Sequence, residues 1–297
     1  MFENVRRLLP VGSAGPASQA APGGGKITLR QVLQRNWEEL WYQPKIDLRT
    51  RRLVGAEGLV RARRPDGSVI APGEFLPGAR EDEMLALTER VIVAALRDFD
   101  ECAALGASVQ LSVNVPVSAF VKLPIAQLLR EERPLAPTWP GLIFEVTEDE
   151  ALNDLKIAND VAGQLHALGC ALSLDDFGAG YSSLVRLRQL PFSELKIDRS
   201  YVSNCHIDKI NAGLCETIVR LGKRFGLKTV AEGIESVEEA QKMQSLGCDV
   251  GQGYLFAWPM AKDEFLNALG RRMVGGPPKA ESLLSPGRLL RGLFAGT

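Results

Sequence analysis

An α/β barrel of the (βα)8 TIM type is the fold this sequence predicts, and three observations predict it. Short apolar runs alternate with segments of helical period across the middle of the chain. Eight such runs follow one another without a long break, the number a closed barrel requires. Neither GxGxxG nor GxxxxGKS/T occurs, so the phosphate loop expected after the first strand of an open doubly wound sheet is missing.

The strand runs are Trp41–Ile46, Leu53–Val60, Val109–Val115, Leu142–Val146, Ala171–Leu174, Leu195–Ile197, Thr229–Ala231 and a short one near Val250. Helices fit between them at Glu83–Phe99, Ile157–Leu168, Ile210–Phe225 and Val237–Leu246. Gly169, Gly226 and Gly247 each close a helix just before a strand, where a left-handed residue is needed. Ser236 with Glu239 three residues on reads as a capping box. The Gly-, Ala-, Pro- and Ser-rich residues 1–26 are expected to be a flexible leader, and residues 271–297 a similar tail, leaving 27–270 as the barrel domain. The basic-apolar stretch Arg288–Phe294 is expected to be a frayed terminus rather than a contact for a membrane or partner.

Composition sets limits on function. A chain of 297 residues with 45% apolar and 24% charged residues is ordinary for a protein with a sizeable core. A formal charge of -1 argues against a broad basic surface for polymeric nucleic acid. The five cysteines are scattered without a CxxC pair, which favours a reducing compartment over a disulfide framework or zinc ribbon. Pro10, Gly12 and Ser13 interrupt any signal-peptide core, and no apolar run reaches the ~20 residues of a membrane span. A cytoplasmic location is expected.

The informative pattern is what ends each strand. In order these residues are Glu57, Asn114, Glu145 with Glu148 beyond, Asp175-Asp176, Lys196 and Asp198, Glu232 with Glu235 beyond, and Gln252. In an α/β barrel the C-terminal strand ends share one mouth. Singly, each acid has an ordinary explanation as a solvated loop residue or helix cap. Together, several carboxylates in one mouth repel each other unless a cation compensates. The set is oxygen-dominated, with neither cysteine nor histidine, which suits Mg²⁺ or Mn²⁺ better than zinc. The chain's two histidines, His166 and His206, exclude a histidine-aspartate metal cluster. Adjacent acids at Asp175-Asp176 allow two ions to clamp the oxygens of an in-line phosphoryl displacement. Lys196 would offset developing charge, the glycine-rich stretch 177–183 would form a mobile loop, and Arg61 would reach a phosphate.

The motifs Tyr42-Gln43-Pro44, Glu57-Gly58-Leu59-Val60-Arg61, Ser112-Val113-Asn114-Val115 and Glu145-Val146-Thr147-Glu148 occur in that order. They are followed by Asp175-Asp176-Phe177-Gly178-Ala179-Gly180-Tyr181, Leu195-Lys196-Ile197-Asp198, Ala231-Glu232-Gly233-Ile234-Glu235 and Gly251-Gln252-Gly253-Tyr254. In this ordered set the sequence resembles the EAL-domain family of cyclic di-GMP phosphodiesterases. The resemblance implies a modified TIM-type barrel with its first strand antiparallel, a feature the periodicity does not show. It implies metal-dependent hydrolysis of cyclic di-GMP to linear pGpG with Mg²⁺ or Mn²⁺, two ions in all. Glu57, Asn114, Glu145, Asp175 and Asp176 match the metal site. Lys196 and Glu232 match the water-activating pair, and with Glu57 they make up the expected catalytic set. Glu148 matches the acid that steadies the loop after Asp176. Gln43, Leu59, Arg61, Gln252, Asp198 and Glu235 match the dinucleotide site. A homodimer formed near the loop and adjoining helix is also implied. Gly58 stands where the family's name-giving triplet has alanine, and Ala62 where tryptophan is common; neither change removes a metal ligand. The competing reading is a non-catalytic cyclic di-GMP receptor, and a further one is a barrel enzyme acting on another phosphoester. With no sensor, receiver or cyclase module in the sequence, control is expected from a regulatory protein partner or the leader.

Overall fold

The computed structural model describes residues 27–147, 155–178 and 192–273, except the side chains of 155–159 and 271–273. Helix α1 (Leu29–Arg35) leads into β1 (Glu38–Asp47), β2 (Leu53–Arg63) and the two-residue β3 (Val69–Ile70). Helices α2 (Pro72–Phe75) and α3 (Glu81–Ala104), strand β4 (Gln110–Asn114), helices α4 (Val117–Lys122) and α5 (Ile125–Glu131), and strand β5 (Ile143–Thr147) follow. The second half holds α6 (Leu155–Ala167), β6 (Ala171–Phe177), β7 (Glu194–Ile197), α7 (Arg199–Val202) and α8 (Lys209–Phe225). It finishes with β8 (Lys228–Ala231), α9 (Val237–Leu246), β9 (Val250–Gly251), β10 (Met260–Ala261) and α10 (Lys262–Met273).

The strands close in the order β1-β9-β8-β7-β6-β5-β4-β2, with β1 also paired to β2, giving an eight-stranded barrel. Every pairing from β2 through β4, β5, β6, β7 and β8 to β9 is parallel, while β1 runs antiparallel to both β2 and β9. The cause of the reversal is local. Asp47 accepts from Thr50 N at 2.5 Å, and Arg51 sits at φ 60, so residues 48–52 make a tight turn rather than a crossover. The eight ring strands coincide with the eight expected runs. The two-residue β3 and β10 are additions too short to leave a periodic signal.

Parallel strands buried on both sides read as continuous apolar runs, and Leu111, Val113, Phe144, Leu172, Leu174, Leu195 and Ile197 are all essentially inaccessible. Outside them, α3 turns Leu87, Val91, Ile92, Ala95, Leu96, Phe99 and Cys102 inward at helical spacing. The expected caps are present. Ser236 accepts from Glu239 N within a capping box, and Gly226 and Gly247 close α8 and α9 at φ 71 and 83. Gly169 takes φ 76 before β6. The leader and the stretch Arg288–Phe294 lie outside the described residues, and α10 extends past the expected domain boundary at residue 270. Among the described residues, no helix is long and apolar enough to cross a membrane.

A Cβ built on Gly226 meets nothing within 4 Å, so replacing this glycine strains only the backbone. Gly226→Ala is expected to destabilise the fold by about 1 kcal/mol, read as a lower urea midpoint with unchanged slope.

Candidate active site at the strand C-termini

Lys196, the third residue of β7, lies at the centre of the mouth with 1% of its surface exposed. Its Nζ reaches Glu145 Oε2 at 2.6 Å, Glu232 Oε1 at 2.6 Å, Asp175 Oδ1 at 3.0 Å and Glu57 Oε2 at 3.5 Å. Glu57 lies within β2, Glu145 within β5 and Asp175 within β6, and Glu232 directly follows β8. Strand register brings them level: Asn114 stands beside Glu145, and Gln43 opposite Glu57. Asn114 Nδ2 donates to Glu57 Oε1 at 2.7 Å, and Gln252 Nε2 donates to Glu57 Oε2 at 2.7 Å and to Gln43 Oε1 at 3.0 Å. Gln43 Nε2 in turn donates to the Ala257 carbonyl at 3.2 Å. Glu57 is therefore held from both flanks, and Gly58 behind it is laddered to Tyr42 and Val113.

The Lys196 ammonium, even with Lys45 on the far side of Glu145, does not match four carboxylates, and the acids divide accordingly. Burial alone would raise Glu145, but Lys196 and Lys45 outweigh it and hold its carboxyl well below the usual range. Glu57 is raised by burial and by the neighbouring Glu145. Glu232 is pushed up to about 8, chiefly by burial and secondarily by Asp175 and Glu57 against the pull of Lys196. Burial would depress Lys196, yet its acidic neighbours keep it well above its ordinary value. Acids thus outnumber ammonium groups in the mouth, and Glu57 and Glu232 are shifted toward their protonated forms.

Asp176 completes the cluster by an irregularity. Consecutive strand residues face opposite ways, but Asp176 adopts φ 55 and the β6–β7 register shifts between Leu174 and Phe177. A left-handed aspartate is tolerated at an energetic cost typical of functional positions. The result is that Asp175, Asp176 and Glu232 each bring one carboxylate oxygen within 4.8 Å of the others. Burial, Asp175 and Asp198 all raise Asp176. Three hard oxygen donors converging where negative charge is in surplus fit a divalent cation, and no cysteine or histidine belongs to the group.

The remaining expected residues stand at the rim. Arg61 is half-buried, donates to the Val60 carbonyl at 2.8 Å, and forms no salt bridge among the described residues. Leu59 is partly exposed beside it. Asp198 caps α7 by accepting from Ser200 N at 2.9 Å and leans toward Asp176. Glu235 faces outward and pairs with Arg199 at 2.7 Å, outside the carboxylate cluster. Glu148 and residues 179–183 of the expected loop lie outside the described residues; Tyr201 donates its hydroxyl to the Gly178 carbonyl where that stretch begins. His166 and His206 are both exposed.

Sequence reasoning passed over Lys45 and Glu194. Each is buried within the barrel, at 3% and 4% exposure, Lys45 two residues after Gln43 on β1 and Glu194 two residues before Lys196 on β7. The available signal was strand parity: Lys45 shares a face with Gln43, and Glu194 with Lys196.

The proton held by Glu232 has a measurable consequence in metal-free protein. Its carboxyl titrates at about 8 when folded against an ordinary 4.5, so folding takes up a proton between those values. The associated stability is complete at acid pH and is lost as pH rises through that window. Melting temperatures of EDTA-treated protein should fall more steeply toward pH 8 in the wild type than in Glu232→Gln. Equal slopes would exclude Glu232 as the group.

Comparison with known proteins agrees with this geometry. The model of the EAL domain family matches residues 27–259. The bifunctional diguanylate cyclase/cyclic di-GMP phosphodiesterase MucR of Pseudomonas aeruginosa is 36% identical over 243 residues, covering 80% of this chain and 35% of the relative. The cyclic di-GMP phosphodiesterase RocR of the same organism is 34% identical over 233 residues, covering 77% of this chain and 59% of the relative. The chain thus spans less than two thirds of either relative's length. Among solved structures, the PaMucR phosphodiesterase in complex with c-di-GMP aligns with a TM-score of 0.73 at 35% identity, covering 80% of this chain and 97% of that one. The EAL enzyme Bd1971 in its cAMP- and cyclic-di-GMP-bound form aligns at 0.74 and 30% identity, covering 81% and 67%. The motifs, the closed barrel with one reversed strand and the family model extending over most of the sequence lead to one assignment: this chain belongs to the EAL domain family.

Proposed function

We propose that the chain hydrolyses cyclic di-GMP to linear pGpG, using two Mg²⁺ or Mn²⁺ ions held by Glu57, Asn114, Glu145, Asp175 and Asp176. The observation that carries the reading is the gathering of four carboxylates from separate strands around the Lys196 ammonium. The names of the relatives and the ligand in the MucR complex support cyclic di-GMP as substrate. Bound ions would supply Lewis-acid polarisation of the phosphate and a more acidic attacking water.

The chain's own groups then have distinct tasks. Glu232, freed of the proton it holds in metal-free protein, accepts the proton of the attacking water. Lys196, 2.6 Å from Glu232, fixes that carboxylate and offsets charge developing on the phosphate. Glu57, gripped by Asn114 and Gln252, keeps its orientation through turnover. Arg61, half-buried without a carboxylate partner among the described residues, is suited to a phosphate oxygen. Gln43, Leu59 and Gln252 line the same side of the mouth for the dinucleotide. Asp198 acts through Asp176, and Glu235 stands at the outer edge. Glu148 is assigned to the loop after Asp176.

A homodimer is supported by an exposed apolar trio, Ile207 just before α8 at 72% exposure and Ile210 and Leu214 in its first turns at 74% and 39%. Five free, buried cysteines support a reducing, cytoplasmic setting. Control through a regulatory protein partner is part of the same reading.

Chromatography of cyclic di-GMP incubated with the protein and Mg²⁺ or Mn²⁺ should show pGpG, and EDTA should abolish it. Glu57→Ala should fall to background, and Glu232→Gln should lose roughly 10²- to 10⁴-fold in kcat. Arg61→Ala should raise KM roughly ten- to a hundredfold with a smaller effect on kcat. Binding of cyclic di-GMP without product at any metal concentration would replace hydrolysis with the receptor reading. Ile210→Glu should shift the chain to monomer in analytical ultracentrifugation.

A further inference from the structure

Beneath the mouth lies a polar layer that the reaction above does not use. Lys45 projects from β1 into the barrel and donates to Glu145 Oε1 at 2.7 Å and to Glu194 Oε1 at 3.0 Å. Glu194 Oε1 also accepts from Ser173 Oγ at 3.1 Å. Glu145 is consequently gripped twice, at Oε1 by Lys45 from below and at Oε2 by Lys196 from above. It is 1% exposed, and both of its oxygens are engaged by an ammonium.

A buried ion pair is weak grounds for stability, because desolvating both charges offsets most of their attraction, and apolar residues of similar volume often serve as well. An ammonium placed inside a barrel therefore calls for another explanation. The alternative is orientation. A carboxylate with one oxygen tied down cannot turn both toward a cation, and partners of this kind set the geometry of metal ligands.

From this arrangement we infer that Lys45, anchored by Glu194 and Ser173, is a positioning residue for Glu145. It holds Oε1 toward the barrel interior, so Glu145 meets a divalent ion through Oε2 alone. This rests on the metal-dependent reading above, and the two are tested separately.

Mn²⁺ binding to the full chain is measured by calorimetry and by the electron paramagnetic resonance spectrum of the bound ion, beside hydrolysis of cyclic di-GMP. Lys45→Met should weaken Mn²⁺ binding and lower kcat by roughly 10- to 100-fold, with KM for cyclic di-GMP little changed. Because that variant leaves Glu194 buried and unpaired, a second one, Lys45→Met/Glu194→Gln, removes both charges. The double variant should regain the melting temperature of the wild type but not its Mn²⁺ affinity or spectrum. Wild-type Mn²⁺ affinity in either variant overturns the inference, as does failure of both to fold, which would make the pair purely structural. A wild type that binds Mn²⁺ but hydrolyses nothing defeats the proposed reaction alone, leaving the positioning role to be judged on the Mn²⁺ affinities. A wild type that takes up no Mn²⁺ overturns both.

Discussion

One ammonium group shared among four carboxylates is the constraint on which the rest of this barrel turns. Lys196 could not be buried without those acids, nor they without it, since an isolated charge in such surroundings would shed its ionisation. Mutual dependence of this kind couples strands that are remote in sequence. Residues of β2, β5, β6 and β7 and the residue following β8 meet at a single nitrogen. Barrel closure and assembly of the site are therefore the same event, and neither is reached by local folding.

The excess of acid over base suits the arrangement to holding an ion better than to packing. A mouth designed only for stability would match its charges. Here burial drives Glu57 and Glu232 toward their neutral forms, reinforced at Glu57 by Glu145 and at Glu232 by Asp175 and Glu57. Asp176 is bent through a left-handed backbone to add a further oxygen to the crowd. Such a site is poised at a disadvantage that a divalent ion relieves, a common property of functional centres.

Much of this was legible beforehand. The eight ring strands, the capping glycines at 226 and 247 and the capping box at Ser236 follow from patterns a few residues long, where local physics decides. Strand-end acids were visible because barrel geometry gathers strand ends in one place. The reversal of β1 had a signal too, though not a periodic one: residues 47–52 are too few for the dozen or so a parallel crossover requires. What escaped notice were Lys45 and Glu194. Charged residues in strands are ordinarily read as solvent-facing, and nothing local says that they face each other across a barrel. Asp198 and Glu235, legible as acids, have neighbours at Ser200 and Arg199 that only the folded chain reveals. Asp176's backbone was hidden for a different reason, since aspartate adopts several conformations and the register shift beside it has no sequence mark.

The reversed first strand carries an implication for biosynthesis. β1 pairs on one side with β2 at once, but its other partners are β9 at Val250–Gly251 and β10 at Met260–Ala261. During translation the amino-terminal hairpin therefore waits with an open hydrogen-bonding edge until the last tenth or so of the domain has emerged from the ribosome. An unpaired edge is a template for wrong partners. The short β9 and β10 act as a clasp, and a chain cut before them would keep most of its core yet present a sticky seam to its neighbours.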